Sequence, residues 1–262
     1  MDVNEWRAIR DRLEAAEREA AQLILHAHGV LAETKTGHRD IVTDYDKRVQ
    51  ELLIARLREV VPEAKFYCEE NNLRDDINAE CLFIIDPIDG TMNFVRGFSR
   101  SCISVACASR GELVAAAIYN PYLDEMFTAV KGEGALLNGK AIHAYDGPLS
   151  ESLVCFGTTP YNQAVAAQTF RMAELAYRAS LDVRREGSAE LDLCSVAAGR
   201  AGAFFELEVA TWDYVAGMLL VQEAGGCCMN LEGEPLRLAE GKTSILAGGK
   251  QAAAELLAIL KA

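Results

Sequence analysis

No window of this chain approaches 18 consecutive apolar residues, so nothing in it is expected to span a membrane. The opening segment, MDVNEWRAIRDRLEAAEREA, is charged and lacks the apolar stretch of a signal peptide. Eight cysteines, at 68, 81, 102, 107, 155, 194, 227 and 228, never take C-x-x-C spacing, and most lie inside apolar runs. That pattern fits small buried hydrophobes in a reducing cytoplasm better than disulfides or zinc. The four histidines, at 26, 28, 38 and 143, are too scattered to suggest a metal site. Basic residues are few. Against 39 acids stand 26 bases, a formal net charge of −13. Such a surface repels nucleic acid and anionic lipid, so no nucleic-acid or membrane partner is expected. There is no G-x-S-x-G elbow, no Walker-type loop, no internal repeat and no low-complexity linker.

What remains is a globular composition. Half of the 262 residues are apolar and a quarter are charged, which excludes disordered, collagen-like and coiled-coil chains. The length allows one large domain or two small ones. The surplus acid has a second reading besides surface charge, since crowded carboxylates repel one another until a cation joins them. Composition does not separate the two.

The first 150 residues read as α+β. Trp6, Ile9, Leu13, Ala16, Ala20 and Leu23 mark one face of a helix. A second helix starts near Asp44, with Val49, Leu52, Leu53, Leu57, Val60 and Val61 on one face and Pro62 stopping it. Lys65 to Cys68, Phe83-Ile84-Ile85, Ser104 to Ala108, Leu113 to Tyr119 and Met126 to Val130 read as strands, with hairpins at Arg110-Gly111, near Asn120-Pro121 and at Gly132 to Ala135. From 151 to 262 the pattern becomes α/β. Strands are expected at Leu153 to Phe156, Val183, Ala203 to Phe205 and Ile245 to Ala247. Helices are expected at Ala164 to Ala179, Ser188 to Ala198, Tyr214 to Ala224 and Gln251 to Leu260. Two closely packed halves, 1–150 and 151–262, with a site between them follow from this order.

Four segments carry candidate chemistry. In Ile84-Ile85-Asp86-Pro87-Ile88-Asp89-Gly90-Thr91-Met92-Asn93-Phe94 an apolar strand ends in one acid, Pro and Gly turn the chain, and a second acid follows. Oxygen ligands of this kind suit Mg²⁺. The amides of Gly90 and Thr91 could open a helix that holds an anion. A plain turn explains the same residues. Glu69-Glu70 follows a strand, or sits in a solvated loop. Asp213, after Trp212, precedes an apolar helix and could simply cap it. Thr43-x-x-Asp46 has the form of a capping box. Together, however, carboxylates at several strand and helix ends are what a multi-metal phosphoryl-transfer site requires.

In this combination the chain resembles the inositol monophosphatase family of Mg²⁺-dependent, Li⁺-sensitive phosphatases. The resemblance rests on Asp40 to Asp46, Glu69-Glu70, Asp86 to Phe94, Gly187-Ser188-Ala189 and Trp212-Asp213 to Gly226, and runs from about residue 5 to 260. It implies a five-layer αβαβα sandwich and a homodimer. It also implies two or three Mg²⁺ ions per site, held by Glu69, Asp86, Asp89, Asp213 and the carbonyl of Ile88, with Asp86 bridging two of them. Thr91, bonded to Asp46 and near Glu69, would orient and activate the attacking water. The amides of Gly90 and Thr91 would hold phosphate. Asp89, Gly187, Ser188, Ala189, Glu206 and Asp213 would meet substrate hydroxyls. Lys35 stands where the family keeps a mobile lysine, and is expected in a flexible loop. Arg184 and Arg185 either reach a second phosphate or are a solvated strand end.

The expected activity is therefore hydrolysis of a small polyol or sugar phosphate, foremost a myo-inositol monophosphate, by metal-activated water. Fructose 1,6-bisphosphate and nucleotide substrates (3′-phosphoadenosine 5′-phosphate or NADP) are the alternatives within the family. A different class is also open, because some bacterial members act as regulatory binding proteins on the transcription machinery. A member without activity is expected to have lost a metal carboxylate or the threonine, and here all are present.

Overall fold

The computed structural model describes residues 2–37 and 40–261; His38 lies outside the described residues. Asp2 opens α1 (Val3–Leu25) with a capping box, its side chain accepting from the amides of Asn4 and Glu5 while Glu5 returns to the Asp2 amide. Ile9, Leu13, Ala16, Ala20 and Ile24 form its buried stripe. An antiparallel pair, β1 (Ala32–Gly37) and β2 (Asp40–Thr43), leads into α2 (Asp44–Val60), which packs beside α1.

β3 (Lys65–Cys68) and β4 (Leu82–Asp89) are followed by the short helix α3 (Thr91–Arg96). β5 (Cys102–Ser109), β6 (Glu112–Asn120), β7 (Glu125–Val130), β8 (Ala135–Leu137) and β9 (Lys140–Ile142) then complete a seven-stranded sheet in sequence order. Only β3 and β4 run parallel. The second sheet takes β10 (Leu153–Phe156), β11 (Asp182–Arg184), β12 (Ala203–Ala210), β13 (Cys227–Met229) and β14 (Lys242–Gly248) in the order β11-β10-β12-β14-β13. Interleaved with them are α4 (Ala166–Ala179), α5 (Ala189–Ala197), α6 (Val215–Glu223) and α7 (Lys250–Lys261).

Side-chain alternation along the strands builds the layers. On β4, Phe83 and Ile85 pack outward with Leu13, Val49 and Leu53 of α1 and α2, while Leu82 and Ile84 face inward. The inward core joins them to Leu193 and Val196 of α5, Leu219 and Leu220 of α6, and Phe204 and Ile245 of the small sheet. Beyond that sheet, Phe205 and Leu246 meet Met172 and Ala176 of α4 and Leu256 of α7. The result is the five-layer αβαβα sandwich. Being sealed between two sheets, α6 is buried over Val215–Val221 and shows no polar face.

Three details depart from expectation. β4 does not end at Asp86; it continues through Pro87 and Ile88 to Asp89, and its register with β5 shifts between Asp86 and Asp89. A bulge of this kind accommodates a proline that cannot donate to the ladder. The strands β1, β2 and β13 are too short or too polar to show a period of two. Lys35 sits on β1 rather than in a loop. No helix among the described residues is long and apolar enough to cross a membrane. All eight cysteines are free thiols, seven of them buried and Cys227 half-buried.

Candidate active site

The bulged end of β4 carries Asp86 and Asp89, both buried. Asp86 Oδ1 accepts the amide of Ile88 at 3.0 Å. Asp89 Oδ2 accepts from Ser188 Oγ at 2.5 Å and from the Glu190 amide at 2.7 Å, so the acid ties β4 to the start of α5. The turn comes at Gly90, whose φ of 89° favours glycine. A Cβ there would lie 2.8 Å from the Arg100 carbonyl and 3.2 Å from that of Gly187. Asn93 fastens the same junction, its Nδ2 donating to the carbonyls of Arg100 at 2.7 Å and Glu186 at 2.8 Å.

Asp46 makes both the capping contacts and the Thr91 contact. Its Oδ2 accepts from the amide and hydroxyl of Thr43, at 2.7 and 2.5 Å, so it is the N3 member of the capping box that Thr43 begins. Its Oδ1 lies 3.2 Å from Thr91 Oγ1, which is also 3.0 Å from the Ile88 carbonyl. Burial pushes the Asp46 carboxyl up to about 6.

Glu69 leaves the end of β3 and accepts from Lys35 Nζ at 2.8 Å; Lys35 also contacts Glu70. Glu70 is held in turn by Gln50 of α2, which exchanges two hydrogen bonds with its backbone at 3.0 and 3.1 Å. Asp213 sits in a 3₁₀ turn, Thr211–Asp213, with Oδ2 accepting the Ala210 amide at 2.9 Å. It does not cap α6, whose N-cap is Tyr214 without a side-chain bond. The buried Glu190 serves that helix instead. Its carboxylate accepts the Gly217 amide at 2.7 Å and Ser104 Oγ at 2.9 Å.

Electrostatics set these acids apart. Burial first, then the neighbouring charges of Glu69 and Asp89, hold Asp86 and Asp213 well above the ordinary carboxylate range; the charge of Asp213 adds to the shift of Asp86. Burial likewise lifts Asp89 to about 6 and Glu206 to about 7. As they stand, no three Asp, Glu, His or Cys side chains among the described residues are grouped to hold a metal ion. Each acid has another partner: Glu69 accepts from Lys35, Asp89 from Ser188, and Asp213 from the Ala210 amide. The donor set itself is all oxygen and carries excess negative charge, which fits a hard divalent cation.

A cleft of about 370 Å³ joins Glu69, Asp89, Thr91 and Asp213 to Ser188 and Glu206. On β12, Glu206 Oε1 accepts from the Thr159 amide at 2.7 Å and its hydroxyl at 3.2 Å. Ser188 caps α5 through the Leu191 amide, at 3.2 Å. The two arginines part company. Arg185 lines this cleft and donates to Thr158 Oγ1 at 3.1 Å, whereas Arg184 pairs with Asp182 at 2.5 Å and lines a separate cavity of about 250 Å³. Residues not anticipated from the sequence also line the cleft: Tyr161 and Asp192. For Asp192 the signal was a lone acid in the apolar run Leu191-Asp192-Leu193-Cys194.

Comparison with known proteins agrees with this architecture. Residues 5–262 match the model of the inositol monophosphatase family. A putative Nus factor SuhB of Neisseria meningitidis is 36% identical over 94% of this chain and 95% of its own. Inositol monophosphatase 2 of Solanum lycopersicum is also 36% identical, over 86% of this chain and 88% of its own. Among solved structures, the extragenic suppressor protein suhB of Bartonella henselae superposes with a TM-score of 0.90 at 29% identity, covering 97% of this chain and 98% of that one. An IMPase/NADP phosphatase complexed with Mg²⁺ and phosphate gives 0.84 at 26% identity, over 98% and 94%. The chain belongs to the inositol monophosphatase family.

Proposed function

We propose that the protein is a Mg²⁺-dependent phosphomonoesterase of the cytoplasm, hydrolysing a small polyol or sugar phosphate, foremost a myo-inositol monophosphate. The observation that carries this is the meeting of acids from three separate segments, Glu69, Asp89 and Asp213, at one cleft with Thr91, while Asp86 lies buried among them. Two or three Mg²⁺ ions would be held by Glu69, Asp86, Asp89, Asp213 and the Ile88 carbonyl. When bound they supply Lewis-acid stabilisation of the phosphoryl group and a lowered pKa for water.

The chain's own groups do the rest. Thr91 Oγ1, between Asp46 and the Ile88 carbonyl, would orient the attacking water and pass its proton toward Asp46, with Glu69 nearby. The amides of Gly90 and Thr91 open α3 and face phosphate oxygens. Gly187, Ser188, Ala189, Glu206, Asp89 and Asp213 border the space for the alcohol. In a protein of net charge −13, a dianionic ester needs the cations as intermediaries.

The test is phosphate release from a panel of inositol, sugar and nucleotide phosphates with Mg²⁺, with EDTA and with Ca²⁺. Turnover of inositol monophosphates with Mg²⁺, lost in EDTA and inhibited by Ca²⁺ and Li⁺, is expected; full activity in excess EDTA rejects the mechanism. Preference for fructose 1,6-bisphosphate, or for a nucleotide phosphate, selects the alternatives within the family. A homodimer is part of the proposal, and a sedimentation mass near 28.5 kDa across the micromolar range rejects it. The relatives named Nus factors favour a second reading, a regulatory binding protein of the same fold. Against its replacing catalysis, Glu69, Asp86, Asp89, Thr91 and Asp213 are all in place; absence of turnover on every ester would reverse that order.

A further inference from the structure

Glu69 follows β3 of the seven-stranded sheet and Asp213 follows β12 of the five-stranded one, so the two acids come from different sheets. Their neighbours in the chain meet. The ring of Tyr67, two residues before Glu69, and that of Trp212, one before Asp213, have centroids 6.0 Å apart and planes 37° from parallel. One guanidinium lies against both. Arg74 Cζ is 4.3 Å from the centre of the Trp212 ring and 5.0 Å from that of Tyr67. A planar cation covers a ring face in a way that an ammonium does not.

The same guanidinium donates to backbone. Its Nη1 reaches the carbonyls of Cys68 and Leu73, the latter at 2.8 Å, and its Nη2 lies 3.4 Å from the carbonyl of Glu69 itself. The Arg74 main chain is fixed independently of these contacts. It forms an antiparallel bridge with Tyr67, flanked by bonds from the Cys68 amide to the Leu73 carbonyl at 2.9 Å and from the Asp75 amide to the Phe66 carbonyl at 3.0 Å. Its donors thus go to the strand end that carries Glu69, and its face to the ring that precedes Asp213. We infer that Arg74 is a positioning residue, which holds the Glu69 and Asp213 segments in the relative placement that lets both acids serve one metal cluster. This rests on the Mg²⁺ reading of the site and adds to it the side chain that joins the two sheets there.

Charge and position predict opposite signs. A cation near the acids repels Mg²⁺, so losing its charge alone would tighten metal binding. Losing a group that orients metal ligands weakens binding, by about 10–100-fold for partners of this kind.

Calorimetric titration of Mg²⁺ into the whole chain reads the sign directly. Arg74→Met, which keeps an unbranched stem against the rings, should bind Mg²⁺ about tenfold more weakly. Arg74→Lys keeps the charge but neither the fork nor the flat face. It should also bind more weakly, by about threefold or more, and it covers the case in which the methionine variant folds poorly. Trp212→Leu should weaken binding too, and adding Arg74→Met to it should cost little more, because the two side chains act as one contact. Tighter binding in Arg74→Met overturns the inference and leaves Arg74 a charge. A lowered melting temperature with Mg²⁺ binding unchanged overturns it and leaves a loop staple. Wild-type affinity in Arg74→Lys overturns it as well, since fork and face would then not matter. Should the wild type bind no Mg²⁺, the metal reading falls and takes the inference with it; binding in the wild type that the variants share sinks the inference alone.

Discussion

At the β4 end of the cleft two acids, Asp86 and Asp89, come off one bulged strand, and the backbone around them is fixed by Gly90 and by the two bonds of Asn93. Elsewhere on the cleft Arg185, Asp192 and Glu206 arrive from a strand end, a helix and another strand; Arg185 and Glu206 lean on Thr158 and Thr159 of one connecting segment, while Asp192 contacts the Cys155 thiol. The first end gathers like charges that repel. The second mixes an arginine with acids and leaves an acceptor of Asp192 unpaired. On the proposed function, chemistry that must be positioned to fractions of an ångström would be set on a strand and helix junction, and contacts to the alcohol on side chains leaning on a loop.

The sharpest way to break this contrast is at Asp86. Asp86→Asn removes a charge from the proposed metal cluster, and phosphate release should fall by about 10³-fold or more, the equivalent of several kcal/mol of lost charge stabilisation. Stability should move the other way. Without Mg²⁺ the variant should melt higher than the wild type, since a buried like charge is gone. The metal-free wild type adds a pH test. Asp46, Asp89, Glu206 and Glu190 are lifted by burial to about 6, 6, 7 and 8. The folded chain thus keeps protons that the unfolded chain gives up above about pH 4. Their contribution is present below that pH and is lost as the pH climbs through 6 to 8, so the melting temperature should fall across this window and Mg²⁺ should restore it. A flat profile would mean the acids are not sharing a low-dielectric site.

Next in size is the Thr91–Asp46 pair. Thr91→Ala should lower kcat by about 10²-fold, as for loss of general acid–base help, with KM little changed. Asp46→Asn is subtler. Its single remaining oxygen can satisfy Thr43 or Thr91 but not both, and the amide nitrogen turned toward Thr91 donates where an acceptor is needed. A similar fall in kcat is expected, and the double variant should be far from additive. Turnover near wild type in Asp46→Asn would leave Asp46 to the capping box alone.

The same contrast explains what the sequence disclosed. Asp86, Asp89, Gly90 and Thr91 are near neighbours in the chain, so one segment displayed the acids, the turn and the helix start together. Glu69 and Asp213 followed because each stood at an element end. The outer helices and long strands were legible from their periods, and the family resemblance supplied the layering. Asp192 escaped because a single acid inside an apolar helix segment looks like an error of pattern until the cleft behind it is seen. Lys35 was misjudged because Ala32 to Gly37 alternates no apolar residues, yet pairing with β2 makes it a strand that delivers the ammonium to Glu69. The Glu190 bond to α6 joins segments 27 residues apart, which no local pattern reveals.

A third test strikes the junction between the two ends. Gly90→Ala asks a residue with a Cβ to adopt φ near 89° and to stand 2.8 Å from the Arg100 carbonyl. Strain of this kind costs about 1–3 kcal/mol for the backbone alone, so the variant should lose about 2 kcal/mol or more in denaturant unfolding. Activity should fall further than stability explains, because the amides of Gly90 and Thr91 move with the turn. An unfolding midpoint unchanged from wild type would show that the turn is not held as tightly as its contacts indicate.

The smallest effect is expected at Lys35. Its ammonium reaches Glu69 and Glu70 from β1, where the side chain is about a quarter exposed, 23%. Partly solvated pairs of this kind contribute about 0–1 kcal/mol, and here the charge also offsets repulsion within the acid cluster. Lys35→Met keeps the stem and removes the charge. The variant should bind Mg²⁺ differently by no more than about fivefold, with kcat changed by a similar factor, because Asp86, Asp89 and Asp213 stay in position without it. The direction is informative. If the ammonium competes with Mg²⁺ for Glu69, the metal concentration giving half-maximal activity should fall in the variant. If it holds Glu69 in the orientation that the metal uses, that concentration should rise. A loss approaching that of Asp86→Asn in either quantity would move Lys35 from the margin of the site to its centre and end the division between a fixed chemical end and its adaptable surroundings.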